Sequence, residues 1–411
     1  MKSTDDPKHF RPTIAVIDLG RIAENFRILR ASVAPGVFIC PMVKANAYGH
    51  GDVEVAKRLR RERAEHLGVG LIEEGLRLRL SGDVRSILHF GMFDAAGAEA
   101  LIANQITPVI SSRACLEDLI LVAEKLQAKS LLKAPIRLHL KVNTGMNRLG
   151  TDEGDVANVA RRIEGGVKKG LFSFTGLGTH FARSEDFNGD ESGSSKEQLR
   201  RFRLSETVVR AAGLNNFKLH VANSGATLAI ARLRKKDSSL DDLGIRPGLS
   251  IYGMEPDAKI QSTFGVRPTF KFLSRITHVQ NINIGEGVSY GLRWRAARKS
   301  RIGIIPCGYA DGYRRGLSVP KPSGQSPMPP VSVIVGGRHV PVVGTICMDY
   351  FMCDLTEVES VGIGDVVILI GEENGAAITV QELADRVETI PYEILTGISE
   401  RVPRVYNDVP G

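Results

Sequence analysis

From residue 20 onward the chain alternates short apolar, β-rich runs with stretches of helical periodicity, and this alternation limits its fold more than any other feature. The runs are VFICPMV (37–43), HLGVGL (66–71), SILHF (86–90), ITPVI (106–110), IRLHLKV (136–142), FTGLGTH (174–180), FKLHVA (217–222) and LGIRP (243–247). Between them lie ENFRILRASV, RACLEDLILVAEKLQ and EQLRRFRLSETVVRAAG, which carry apolar residues at helical spacing. Repeated β-then-α units build a parallel sheet, and eight of them are the number that closes a (β/α)8 barrel. Beyond about residue 258 the texture changes to alternating strands: FKFLSRITHVQNINI, RIGIIPC, VSVIVGGRHVPVVG with its GG turn, and DVVILIG. A helix TVQELADRV and a shorter one near YEILTGI close that region. The expected class is therefore α/β, a TIM-type barrel over 20–258 followed by a mostly antiparallel β domain over 259–411, with the strand 12–18 added to the latter. The stretch PKPSGQSPMPP (320–330) has no periodicity and is expected to be a loop.

At 411 residues the chain exceeds one ordinary core and suits two domains. It contains no 18-residue apolar stretch, and MKSTDDPKHFRPT lacks a hydrophobic signal core, so no membrane partner and a cytoplasmic location are expected. The five cysteines are scattered without paired metal spacing, which fits free thiols in a reducing compartment and predicts no metal site. The net charge of +8 raises the question of nucleic acid. Its local clusters, RLRRER (58–63) and RLRKK (232–236), lack interleaved aromatics and fall on helices, where they read as solvated faces. No nucleic-acid partner is expected; the field suits small anions such as phosphate or carboxylate.

Barrel enzymes carry reactive groups at the C-terminal ends of their strands. Lys44 follows the first run, Lys141 and residues 143–148 the fifth, His180 the sixth, Asn223 and Ser224 the seventh, and Arg246 the eighth. A ring of groups that titrate or donate hydrogen bonds suits an aldehyde cofactor bearing a phosphate. A lysine crowded at a barrel mouth loses some of its preference for the charged form, which favours the neutral amine that a Schiff base requires. Ser224 opens a helix (NSGATLAIARL) whose positive end suits a phosphate, and Gly248 leaves room for close backbone approach. No Walker P-loop or helical His-Glu-x-x-His is present, and the GLG of 176–178 lacks the third glycine of a dinucleotide fingerprint.

The motifs VKANAYGHG, KVNTGMNRLG, ANSGATL, IRPGLSIYG, GVSYG, IPCGYADGYRR, GTICMDY and RVPRVY stand in an order that resembles the bacterial alanine racemases, fold-type III pyridoxal-phosphate enzymes. The resemblance runs from residue 12 to 406. It implies that Lys44 forms the Schiff base with pyridoxal 5'-phosphate, and that Tyr48, Ser224, Gly248, Leu249 and Tyr392 hold the phosphate, beside Asn223. It further implies that Arg246 faces the pyridine nitrogen, with His180 linked to it. An arginine keeps its proton, so the ring nitrogen stays unprotonated and the electron sink is weak.

By the same resemblance racemisation uses two bases, Lys44 on one face of Cα and Tyr290 on the other. The tyrosine is supplied by the partner subunit of a homodimer. Arg148 matches the arginine that contacts the substrate carboxylate, and Lys141 a lysine that is carbamylated to orient it. Met348 and Asp349 match substrate-pocket positions, and Tyr309 and Tyr392 line the entry. Asn143 stands where many members have aspartate, Thr345 where many have arginine, and Leu249 where isoleucine is common. The resemblance implies an amino-acid racemase that interconverts L- and D-alanine for peptidoglycan. A broad-specificity or serine racemase and a non-catalytic pyridoxal-phosphate-binding protein are the competing expectations.

Overall fold

The computed structural model describes residues 10–184, 193–234, 237–254, 264–318 and 330–408. Most of the expected loop at 320–330 lies outside them. The chain divides into two compact units, Arg21–Pro268 and a second made of Met1–Gly20 with Thr269–Gly411. The division falls between 268 and 269 rather than between 258 and 259. The last residues of the first unit are tied back to it, because Asn25 Nδ2 donates to the carbonyls of Ile251 and Arg267, at 2.9 Å each, and Arg267 N donates to Asn25 Oδ1 at 2.9 Å.

In the first unit seven parallel strands neighbour one another in chain order: His66–Val69, Ser86–His89, Thr107–Ile110, Ile136–Asn143, Phe172–Gly178, Lys218–Ala222 and Leu243–Ile245. The eighth place differs from expectation. Residues 37–43 form no regular strand, but Ile39 bridges to Ile245 on one side and Met42 to Gly68 on the other. Backbone bonds Ile245 N to Phe38 O and Val43 N to Gly68 O, both 2.9 Å, complete the ring. Pro41 explains the irregularity, since it has no N–H to give a ladder. Closure also depends on Gly68, where a Cβ would stand 2.4 Å from Met42 Sδ. The sheet is therefore the expected barrel, with its first member reduced to two bridges.

The barrel strands are buried along most of their lengths, as expected for a parallel sheet covered by helices; Thr107–Ile110 is buried at every position. The covering helices follow their sequence signals. Arg113–Ala128 starts where Ser112 Oγ accepts from Cys115 N at 3.2 Å, and it buries Cys115, Leu116, Leu119, Ile120 and Ala123 on one stripe.

The second unit is a largely antiparallel sheet. Its strand order is His278–Ile282, Ser300–Ile305, Phe351–Asp354, Arg338–Val343, Ser332–Val335, Val366–Glu373, Phe270–Arg275, Ile14–Asp18 and Arg404–Asn407. Phe270–Arg275 alternates buried and half-buried residues, the period of a strand with one face inward. The N-terminal strand Ile14–Asp18 sits inside this sheet, antiparallel to Phe270–Arg275 and parallel to Arg404–Asn407.

One charged group organises the loops of this unit. The fully buried Asp311 carboxylate accepts from Arg11 Nη1 at 2.9 Å and Nη2 at 2.8 Å, and from Gly308 N at 3.0 Å. Removing it strands arginine charge in a partly dry setting. We expect Asp311→Ala to lower stability by about 3 kcal/mol or more, read as a drop in urea midpoint with unchanged slope.

Candidate active site

The segment after the irregular first member has an unusual backbone. Ala45, Asn46, Ala47 and Tyr48 all adopt left-handed conformations, with φ between 52° and 54°. Each such residue is disfavoured by about 1–2 kcal/mol, so the turn persists only because its surroundings hold it. Glu74 is the main clamp: its Oε1 accepts from Ala45 N at 2.6 Å, while Oε2 accepts from Gly70 N at 2.8 Å and Leu71 N at 3.1 Å. Asn46 Oδ1 adds a bond from Asp52 N at 3.0 Å. The turn begins at Lys44 and buries Tyr48.

Lys44 remains open to solvent at the mouth, yet protein and cations crowd it there. Burial first, then the nearby Arg148 charge, push its amine below the ordinary lysine value. Lys141 is buried, and its amine is pushed down to about 7 by burial, then by Arg246, Arg148 and Lys44. Among the described residues no carboxylate forms an ion pair with Lys44, Lys141, Arg148 or Arg246. Such a cluster of four cations is a site for an anion.

Arg246 is nearly fully buried, and burial lowers it to about 10, still well above neutrality, so it remains a donor. Nη1 donates to His220 O at 2.6 Å and to His220 Nδ1 at 2.7 Å, and Nη2 donates to Thr179 O at 2.6 Å and His180 Nδ1 at 3.1 Å. These contacts use both terminal nitrogens and leave Nε–H available to a ligand acceptor. His180 receives at Nδ1, and burial with the Arg246 charge holds it well below the ordinary histidine value; it is a neutral ring carrying its proton on Nε2.

Asn223 caps the helix Ser224–Leu233 by accepting from Ala226 N at 3.0 Å. Ser224 Oγ accepts from Gly248 N at 2.9 Å and Ser250 N at 3.3 Å. A hydroxyl that accepts twice directs its own proton outward, toward a ligand oxygen. At Gly248 a Cβ would lie 2.3 Å from Tyr48 Oη, so only glycine lets the phenol reach this backbone. The serine hydroxyl, the helix start and the glycine cradle fit a phosphate, and Leu249 lies at the same turn.

Arg148 is carried by the loop after Ile136–Asn143, and Asn143 builds that loop. Its Oδ1 accepts from Asn147 N at 3.0 Å, and its Nδ2 donates to Asn147 Oδ1 at 3.0 Å and Asp152 Oδ1 at 3.1 Å. The amide does here what a carboxylate could not, because an aspartate would face Asp152 with like charge.

The remaining predicted residues belong to the second unit. Tyr290 is 73% exposed and follows Ser289, whose φ is 65°. Thr345 fixes this turn: its Oγ1 donates to Tyr290 O at 2.8 Å, and its carbonyl accepts from Ser289 Oγ at 2.6 Å. Tyr309 N donates to Cys347 O at 3.0 Å and Ala310 N to Met348 O at 3.1 Å, which joins the GYADGY and CMDY loops. Asp349 accepts from Arg401 Nη2 at 2.7 Å. Tyr392 is half-buried, and burial pushes its phenol up to about 12.

The barrel unit thus brings together Lys44, Tyr48, Lys141, Arg148, His180, Asn223, Ser224, Arg246, Gly248 and Leu249, while Tyr290, Tyr309, Met348, Asp349 and Tyr392 lie in the other unit. Sequence reasoning missed Glu74 and His220. The signal for Glu74 was its place at the third residue of the helix Ile72–Leu80, where a side chain reaches back to free N–H groups. For His220 it was the alternation within Lys218–Ala222, which puts the ring on an inward position.

Comparison with known proteins decides the kinship. The alanine racemase N-terminal domain family matches residues 17–256, and the alanine racemase C-terminal domain family matches residues 269–406. The chain belongs to the alanine racemase family. It is an enzyme of that family: an "Alanine racemase 2" of Caldanaerobacter subterraneus is 34% identical over 396 residues, 96% of this chain and 95% of the relative. An alanine racemase of Halothermothrix orenii is 33% identical, covering 98% of both. Among solved structures, the alanine racemase from D-cycloserine-producing Streptomyces lavendulae has a TM-score of 0.86 at 30% identity, covering 98% of each chain. That of Bartonella henselae, described with covalently bound pyridoxal phosphate, has a TM-score of 0.79 at 28% identity, covering 96% of this chain and 99% of its own.

The depressed Lys141 amine has a consequence for stability. Between about 7, its folded value, and 10.5, its ordinary value, the unfolded chain holds a proton that the folded chain lacks. Stability therefore rises with pH across that window and flattens below it. Urea midpoints at a series of pH values in bicarbonate-free buffer should show the rise, and Lys141→Met should reduce it.

Proposed function

We propose that this chain interconverts L- and D-alanine by a two-base mechanism, with pyridoxal 5'-phosphate bound in the barrel unit, and so supplies D-alanine for peptidoglycan. The observation that carries this reading is the mouth of the barrel. Four basic groups without a carboxylate partner among the described residues, two of them depressed amines, gather beside a phosphate cradle and one uncommitted guanidinium N–H. An aldehyde, a phosphate and a ring nitrogen that accepts match those features in turn.

When bound, the cofactor acidifies the Cα–H of an attached amino acid. Ser224 Oγ, the backbone at Gly248 and Leu249, and the Tyr48 phenol would hold its phosphate, with Asn223 setting the helix start. Arg246 Nε–H donates to the ring nitrogen and keeps its proton, and His180 steadies the guanidinium. The Lys44 amine moves the proton on one face of Cα; its lowered pKa raises the neutral fraction that can accept. The Tyr290 phenol serves the opposite face from a second copy of the chain, and its exposure in the single chain is what a residue donated to another subunit requires. Arg148 pairs with the substrate carboxylate. The near-neutral Lys141 amine is the form that takes up carbon dioxide, and the resulting carbamate anion pairs with Arg148 where the ammonium would repel it. Met348, Asp349 and Tyr309 shape the pocket around a small side chain, which favours alanine over serine or a broad substrate range. The five free thiols suit a reducing cytoplasm, and no helix among the described residues is long and apolar enough to cross a membrane. A non-catalytic cofactor carrier is disfavoured by the second unit, which such a carrier does not need.

A chiral assay across small amino acids, with the cofactor added, tests the substrate, and no racemisation of alanine would overturn the proposal. Lys44→Ala should lose the visible absorption of the lysine-bound cofactor. Tyr290→Phe should lower turnover by about 10²- to 10⁴-fold and make solvent-deuterium incorporation unequal between the enantiomers. Mixing the two inactive variants through a denaturation and reassembly step should restore part of the activity if sites are shared, and no recovery would exclude donation between subunits.

A further inference from the structure

The GLG of 176–178, which serves no nucleotide, has a different use. A Cβ at Gly176 would lie 2.1 Å from His139 Nδ1, and one at Gly178 would lie 2.2 Å from His220 Cε1. The strand Phe172–Gly178 is hollowed at these two positions, each opposite one imidazole. The rings are bonded, with His139 Nδ1 to His220 Nε2 at 2.9 Å, and both residues are buried.

The tautomers follow from the one partner that has no choice. Arg246 Nη1 only donates, so His220 Nδ1, 2.7 Å away, accepts. The His220 proton then sits on Nε2 and is donated to His139 Nδ1. His139 in turn carries its proton on Nε2, and it lines a cavity of about 530 Å³ shared with Phe38, His66 and Arg137. Burial holds both rings in the neutral form, His139 down to about 3.

We propose that His139 is a positioning residue for the racemase reaction, fixing the His220 tautomer so that Arg246 is held with its Nε–H toward the cofactor ring. This rests on the reading that Arg246 addresses that ring. Without an acceptor at position 139, His220 has two poor states. Either its Nε2–H is buried unbonded, or the proton moves to Nδ1 and faces an arginine N–H, donor against donor. In both the guanidinium loses one of its fixed supports.

The test uses nitrogen-15 histidine spectra of the cofactor-free wild type together with kinetics of the loaded enzyme. Expected for the wild type is a single Nε2–H tautomer for both rings at pH 7.5. His139→Phe should give His220 mixed tautomers and at least a tenfold lower kcat with KM little changed. His139→Gln, whose Oε1 accepts, should retain the single tautomer and most of the turnover. A protonated or Nδ1–H His220 in the wild type overturns the proposal, as does a His139→Phe enzyme with unchanged kcat. If the phenylalanine variant does not fold, the wild-type spectrum and the glutamine variant decide. The spectra need no cofactor, so a failure of the racemase reading shows as an inactive wild type with its histidine relay intact.

Discussion

A guanidinium buried without a carboxylate is the constraint on which the barrel site depends. Desolvating such a charge is costly, and here the offset comes from carbonyl oxygens and neutral imidazoles rather than from an anion. Arg246 draws on Thr179 and His180, just past the end of one strand, and on His220, within the adjacent strand. Its placement is therefore a product of strand register, and it requires the ring to be closed. Because no carboxylate among the described residues pairs with it, its field adds to those of Lys44, Lys141 and Arg148. Burial first, and then that shared field, depresses both amines, and the mouth is left short of an anion.

The longest run of strained backbone among the described residues lies where chemistry is expected. Four successive left-handed residues follow Lys44, and Ser289, which precedes Tyr290, also has a positive φ but an extended ψ. Both turns are held from outside, the first by Glu74 and the second by Thr345, and Asn46 adds a bond from within the first. A lysine on a relaxed right-handed helix would point along its own axis with many rotamers available. A reversed turn pinned by a carboxylate narrows that choice.

The departures from the family pattern have local reasons. Asn143 can accept from the loop backbone and donate to Asp152 at once, so the loop bearing Arg148 keeps its shape without a second carboxylate. Thr345 replaces a long cation by a short hydroxyl that bonds the Tyr290 carbonyl directly. Neither change touches the Lys44 amine or the Tyr290 phenol.

Much was readable before any coordinates. Alternating β and α signals specify a parallel barrel, because continuous apolar runs need both faces covered, the outer by helices and the inner by the strands' own side chains, and the later period-two runs specify an antiparallel sheet. The residues at the strand ends named most of the barrel site, since a barrel exposes those ends together. Tertiary structure alone decided the rest. The first strand is reduced to two bridges because Pro41 has no N–H to donate, and the left-handed turn is held because Glu74, a distant residue in sequence, captures the Ala45 N–H. The histidine chain was equally hidden: His139, His220, Gly176 and Gly178 are ordinary strand residues until the register of three strands sets rings against hollows. Local sequence encodes period and propensity, but the partner of a buried hydrogen-bonding group is chosen by packing between segments far apart in the chain.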